Sequence, residues 1–270
     1  MVNKINTISV IGAGYMGKQI IERSALCGYN VDAYDVNFES LNEFISELKR
    51  SKNIKGKVIH HTNLSEAVKN ADLIIEAVPE KLELKKDIFP QIDKAAPPHA
   101  IIATNSSSFP ISKIEDVVER KDKVLNIHFY HLTKYPMADI MKGTQTSDET
   151  FQKGKKWLES IKITPLIVKK ECYGFVFNRI WRAIKKDCLK IWAGGNADVE
   201  TVDQGWKIFT GMVEGPFQIM DNIGLDVIYD IEMSYYNKSG DPEDKPPQAL
   251  KDMVDKGFLG RKSGKGFYEY

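Results

Sequence analysis

The sequence predicts an α/β domain with a mainly parallel, doubly wound sheet, followed by a smaller all-α domain. Three observations predict it. In the first half, short β-branched runs alternate with segments of helical spacing, a pattern that builds a parallel sheet covered on both faces. After about residue 170 the strand-like runs stop and apolar residues recur at helical spacing. The chain, 270 residues long, suffices for one large domain or two modest ones.

The elements follow in order. Residues 5–11 (INTISVI) are a β-branched run that ends at glycine, so they read as a buried strand. Met16 with Ile20 and Ile21 with Ala25 then fall at i,i+4, and Gly28 supplies a helix stop. VDAY (31–34) is a second strand. Residues 38–50 form an amphipathic helix with Phe38, Leu41, Phe44, Ile45 and Leu48 on one face. VIHH (58–61), DLIIEAV (72–78), AIIAT (100–104) and KVLNIHF (123–129) are further strand candidates. In the second part, Trp181, Ile184, Cys188 and Ile191 mark a helix stripe, read as core or dimer interface. GDPEDKPP (240–247) reads as a loop between helices.

Composition excludes several classes. Lys and Arg total 38 against 37 Asp and Glu, with no block of one sign at either end. The basic stripe of a nucleic-acid binder and the basic amphipathic helix of a membrane-surface protein are both missing from the pattern. No apolar run is long enough to span a membrane, and none at the N-terminus reads as a signal peptide. The three cysteines are far apart and form no CxxC pair, so no metal site is expected. Free thiols suit a reducing compartment, and a cytoplasmic location is expected.

The first strand runs directly into GAGYMG. Gly12, Gly14 and Gly17 complete G-x-G-x-x-G at the start of a helix. Gly12 permits the tight turn, Gly14 lets backbone approach a pyrophosphate, and Gly17 lets the helix pack near the strand. The helix N-terminus then offers free N–H groups and a positive dipole end to the anion. Asp35 closes the second strand, 18 residues after Gly17, where a carboxylate binds ribose hydroxyls. Because that acid repels a 2′-phosphate, NAD is the expected cofactor rather than NADP.

Four later stretches occur in a telling order: IIEAVPEKLELKK (74–86), ATNSSSFPI (103–111), GFVFNR (174–179) and GPFQIMDNIGLD (215–226). The chain closes with GFLGRKSGKGFYEY (257–270). Together these resemble the 3-hydroxyacyl-CoA dehydrogenase family, including bacterial 3-hydroxybutyryl-CoA dehydrogenases, over nearly the whole chain. The resemblance implies a Rossmann domain over 1–172 and a helical domain over 173–270 that dimerises. It implies NAD-dependent oxidation of an L-3-hydroxyacyl thioester to the 3-ketoacyl thioester. It further implies that Glu80 and Lys85 line the nicotinamide cofactor and that Asn105 touches the nicotinamide ribose. Ser107 matches the serine that holds the reacting oxygen. Asn178 matches an active-site asparagine from the helical domain, and His128 matches the catalytic histidine.

The chemistry of the residues agrees. Removing a hydride from an alcohol carbon requires a base for the hydroxyl proton, and histidine titrates near working pH. A carboxylate on its other nitrogen stabilises the imidazolium and fixes the tautomer. A serine hydroxyl suits the oxygen as it passes from alcohol to ketone.

NIHFYHLTKYPMADIM (126–141) carries both the histidine and an acid, but it reads as too mixed for an ordinary core strand. The family pattern there is H-x-x-N-P followed by P-L-V-E-V. This chain has His131-Leu132 in place of Asn-Pro, and it is one residue short before PMADI. Asp139 falls where the glutamate is expected, one methylene shorter. His131 is a rival base, a positioning residue, or an ordinary structural histidine. A serine run after a strand is ordinarily a turn or a cap. Ser107 gains weight from its place at a strand's C-terminal end, where open α/β sheets bind ligands.

A second departure concerns substrate. The family's long helical hairpin after the second strand holds part of the CoA moiety. Here only residues 36–57 separate Asp35 from VIHH, enough for one helix and a turn. Two other readings therefore stand beside the acyl-CoA dehydrogenase: a dehydrogenase of a free 3-hydroxy acid or similar small alcohol, and a non-catalytic dinucleotide-binding protein. Arg261, Lys262 and Lys265 read as a solvated basic turn or as attraction for CoA phosphates.

Overall fold

A computed structural model describes residues 5–270. The chain divides into two compact units between Val176 and Phe177, a few residues past the sequence-based boundary after 172. The first unit alternates strands and helices: β1 (Thr7–Ile11), α1 (Tyr15–Leu26), β2 (Asn30–Tyr34), α2 (Phe38–Ser51), β3 (Val58–His61), α3 (Leu64–Val68), β4 (Leu73–Glu76), α4 (Leu82–Ala95), β5 (Ile101–Thr104), β6 (Val124–Phe129), β7 (Met137–Lys142), α5 (Asp148–Ser160) and β8 (Thr164–Val168).

One eight-stranded sheet runs in the order β3-β2-β1-β4-β5-β6-β7-β8. All pairings are parallel except β6 with β7. The inner strands β1, β4, β5, β6 and β7 are largely buried because helices cover both faces, whereas β8 at the edge is mostly exposed or half-buried. Ile8, Val10, Val31, Ala33, Leu73 and Ile75 point into one core with α1, α2 and α5. Ile11, Ile74, Ile102 and Val124 point the other way, onto α3 and α4. Helix starts follow ordinary capping: Asn37 accepts from the Ser40 N–H, and Ser147 from the Thr150 N–H.

Strand β6 matches the KVLNIHF candidate, while β7 contradicts the reading of 126–141 as too mixed for a core strand. Val124–Phe129 is buried throughout, and Met137–Lys142 pairs with it antiparallel. Alternation explains the mixed composition. Ile127, Phe129, Ala138 and Ile140 enter the α1/α2/α5 core, so the intervening His128 and Asp139 occupy the opposite face. The residues between the two strands form a turn. The His131 carbonyl accepts from the Tyr135 N–H at 2.7 Å. Leu132 is buried, its N–H held by Gln19 and its carbonyl by Arg23 of α1.

The second unit is helical: α6 (Phe177–Ala193), α7 (Val199–Thr210), α8 (Pro216–Ile223), α9 (Leu225–Ser239) and α10 (Gln248–Asp255). Its core gathers Cys188, Leu189, Phe217, Met220, Ile228 and Leu250. The closing tail is bound to this core by two buried aspartates. Asp221 accepts from the Phe267 and Tyr268 N–H groups and the Tyr270 hydroxyl. Asp203 accepts from the Phe217 and Gln218 N–H groups and the Tyr268 hydroxyl. Burial raises the Asp221 carboxyl above its usual range in spite of those donors. The charges of the basic turn are occupied locally: Lys262 binds Asp226, Lys265 binds Glu269, and Arg261 lies over the Tyr270 ring.

Candidate active site

Gly12, at φ +98°, makes the turn out of β1, and a Cβ there would lie 2.5 Å from the Ala77 carbonyl oxygen. A Cβ on Gly17 would lie 1.9 Å from the Gly12 carbonyl oxygen, so that glycine is required by packing of α1 on the turn. Gly14 differs: a Cβ there would meet nothing within 4 Å. The space over Gly14 is open, and α1 starts there with no side-chain cap. Unsatisfied N–H groups at a helix start, beside a glycine with nothing over it, suit a phosphate. Asp35 follows β2 and holds this turn. Its carboxylate accepts from the Ala13 N–H at 2.5 Å and the Asn37 N–H at 2.7 Å. The turn therefore has the open space and free N–H groups that an anionic group such as a pyrophosphate requires.

The C-terminal ends of β4 and β5 carry a buried ionic network. Glu76, the last residue of β4, is fully buried and accepts from Lys85 Nζ at 2.7 Å, Thr104 Oγ1 at 2.6 Å and the Val78 N–H at 2.8 Å. Lys85 also approaches Glu80, Nζ to Oε2 3.3 Å. Glu80 accepts from the Ser106 hydroxyl and the Ser108 N–H. Burial works against the Glu80 charge, but the Ser106 hydrogen bond and the Lys85 cation outweigh it and hold the carboxyl below its usual range. The network joins the β4–α4 turn to the β5 turn and leaves Glu80 part-exposed at the cleft.

Across the cleft, register determines the third component. His128 and Asp139 are direct partners in the β6–β7 pair. Directly opposed side chains lie close enough to touch, and His128 Nδ1 is 3.2 Å from Asp139 Oδ2. The shorter acid therefore reaches its histidine. Tyr130 donates its hydroxyl to the same oxygen at 2.5 Å. The imidazole stacks on Phe175 at 5.2 Å and meets the Tyr130 ring edge-on at 4.7 Å. Phe175 holds φ +52°, a rare value for a residue with a side chain.

One cleft brings most of the predicted residues together. Gly14, Glu80, Lys85, Asn105, Ser107 and His128 line it, with Tyr15, Met16 and Val78. The Asn105 side-chain carbonyl accepts from the Phe129 N–H at 3.0 Å, which fixes that amide between β5 and β6. Asp139 stands behind His128, fully buried. Asn178 is the second residue of α6, in the helical unit. His131 has a turn role: its Nδ1 accepts from the Thr133 and Lys134 N–H groups. Glu76, Tyr130 and Phe175 are the residues the sequence reading did not single out. A charged residue closing the apolar run LIIE was the available signal for Glu76.

The comparisons with known proteins agree with this geometry. The family model for the 3-hydroxyacyl-CoA dehydrogenase NAD-binding domain matches residues 7–172, and that for the C-terminal domain matches 174–270. A probable 3-hydroxybutyryl-CoA dehydrogenase of Bacillus subtilis is 33% identical, over 99% of this chain and 98% of its own. The 3-hydroxybutyryl-CoA dehydrogenase of Clostridioides difficile is 34% identical, over 97% and 99%. Among solved structures, (S)-3-hydroxybutyryl-CoA dehydrogenase from Ralstonia eutropha superposes with a TM-score of 0.87 at 29% identity, covering 99% of each chain. A diketoreductase that acts on dicarbonyl compounds superposes at 0.88 with 33% identity, covering 99% of this chain and all of the other. The chain belongs to the 3-hydroxyacyl-CoA dehydrogenase family.

Proposed function

We propose that the protein catalyses the reversible, NAD-dependent oxidation of an L-3-hydroxyacyl-CoA to the 3-ketoacyl-CoA. The observation that carries this reading is the buried His128–Asp139 pair beside the glycine turn and Asn105. When bound, NAD supplies a hydride acceptor at its nicotinamide. The remaining work falls to the chain. With Nδ1 on Asp139, His128 presents Nε2 to the substrate hydroxyl and takes its proton. Asp139 stabilises the imidazolium so formed. Ser107 holds the substrate oxygen, and Asn178 is assigned to the substrate by its match to the family's active-site asparagine. Glu80, held by Lys85 and Ser106, and Asn105, held by the Phe129 N–H, line the nicotinamide end.

Exposed apolar side chains in and beyond α7 support a homodimer formed through the helical unit. Ile208 is 76% exposed, and Phe209 and Val213 are each 90% exposed. Such a patch marks an association surface.

NAD reduction with L-3-hydroxybutyryl-CoA tests the reading. Turnover of the L and not the D thioester is expected, with loss of turnover in His128→Gln. Turnover of both enantiomers, or of neither, contradicts it.

A second reading, a dehydrogenase of a free 3-hydroxy acid or similar small alcohol, is favoured by one observation. A single helix, α2, separates β2 from β3, with no hairpin arm. The likeness to a diketoreductase leans the same way. The non-catalytic reading rested on the altered HFYHL segment and the shortened acid partner, and the 3.2 Å contact between His128 and Asp139 speaks against the second of these.

A further inference from the structure

The carboxylate behind His128 is fastened at one atom. Asp139 is fully buried, and its Oδ1 has no hydrogen-bond partner among the described residues. Every polar contact falls on Oδ2, shared by His128 Nδ1 at 3.2 Å and the Tyr130 hydroxyl at 2.5 Å. The first distance is at the long end for N–H···O, and the second is short for O–H···O. A buried carboxylate with one long hydrogen bond would carry a large desolvation cost and a poorly defined rotamer. The Tyr130 bond is therefore the stronger fastening.

Local geometry explains how Tyr130 reaches. It follows His128 by two residues, so both side chains leave the same face, and the Tyr130 ring stands edge-on to the imidazole. Asp139 is one methylene shorter than the glutamate of the family pattern. A hydroxyl that fixes Oδ2 at the point where Nδ1–H must meet it substitutes for that length.

We infer that Tyr130 is a positioning residue for this reaction. It anchors Asp139 so that the shortened carboxylate holds the His128 Nδ1–H and leaves Nε2 for the substrate oxygen. The inference rests on the reading of His128 as the base. It predicts a dependence that runs through the length of the acid. Tyr130→Phe should lower kcat with acetoacetyl-CoA and NADH about tenfold to a hundredfold, the scale of a misplaced catalytic group, with KM and NADH affinity unchanged. Tyr130→Phe/Asp139→Glu should recover most of the loss, because the longer carboxylate reaches Nδ1 without the tether.

NMR of isotopically labelled histidine provides a readout that needs no substrate. The wild type should show a slowly exchanging His128 Nδ1–H proton. That proton should exchange rapidly in Tyr130→Phe and slowly again in the double variant. A protected Nδ1–H retained in Tyr130→Phe, or a double variant that recovers neither protection nor rate, overturns the assignment. If the wild type failed to reduce acetoacetyl-CoA, the functional reading would fall, and the exchange data would still decide the role of Tyr130.

Discussion

His128 and Asp139 lie opposite one another across the antiparallel β6–β7 pair, Nδ1 3.2 Å from Oδ2, both on the face turned away from the α1/α2/α5 core. The only antiparallel pairing of the sheet among the described residues thus sets the acid–base pair face to face, and the Tyr130 hydroxyl holds the oxygen they share.

Asp139→Asn should preserve the fold and lose the chemistry. The amide cannot stabilise an imidazolium, and it favours the wrong tautomer. By analogy with other His–Asp pairs, kcat should fall by about 100-fold or more. NADH affinity should not change, since Asp139 stands behind the cleft. Steady-state rates with fluorescence titration of NADH check both parts.

The three fingerprint glycines should fail differently. Gly17→Ala forces a Cβ to 1.9 Å from the Gly12 carbonyl, so destabilisation of about 3 kcal/mol or more is expected. Gly14→Ala meets no protein atom within 4 Å and should unfold like wild type. Its NADH affinity should fall about tenfold or more, the value of one charge-assisted backbone contact. Urea unfolding beside NADH titration separates the two.

Lys85→Met leaves the Glu76 charge buried without its cation. Breaking such a pair costs about 3–5 kcal/mol. Pairing it with Glu76→Gln should return much of that stability, because no buried charge then remains. Urea midpoints of the two variants give the comparison.

Glu80 gives a pH signature. Its folded pKa lies below the ordinary glutamate value of 4.5, so the carboxylate stabilises the fold above that value. As pH falls through the folded pKa, that contribution is lost. Glu80→Gln should therefore show a shallower fall of Tm with acidification below about pH 4.5, measured by scanning calorimetry at several pH values. Equal slopes in both proteins would contradict it.

The first six strands were legible because each is a β-branched or apolar run bounded by turn residues. Strands β7 and β8 were not. MADIMK carries Asp139 on its site-facing side, and TPLIV opens with a threonine and a proline. Local pattern fails there because the site requires a buried acid in a strand. Gly12, Gly17 and Asp35 were readable from spacing, since turn and helix geometry impose it. Whether Asp139 reached His128 was not readable, because that depends on cross-strand register. His131 and Tyr130 illustrate the same limit. One turned out to hold a turn and the other to hold the acid, and only their three-dimensional partners distinguish them.

NADH consumption with acetoacetyl-CoA, run beside free acetoacetate, decides whether His128 serves a thioester substrate. Rapid absorbance loss is expected with the thioester, little with the free acid, and none with the thioester in His128→Gln. Loss confined to free acetoacetate, or equal loss in His128→Gln, would contradict that role.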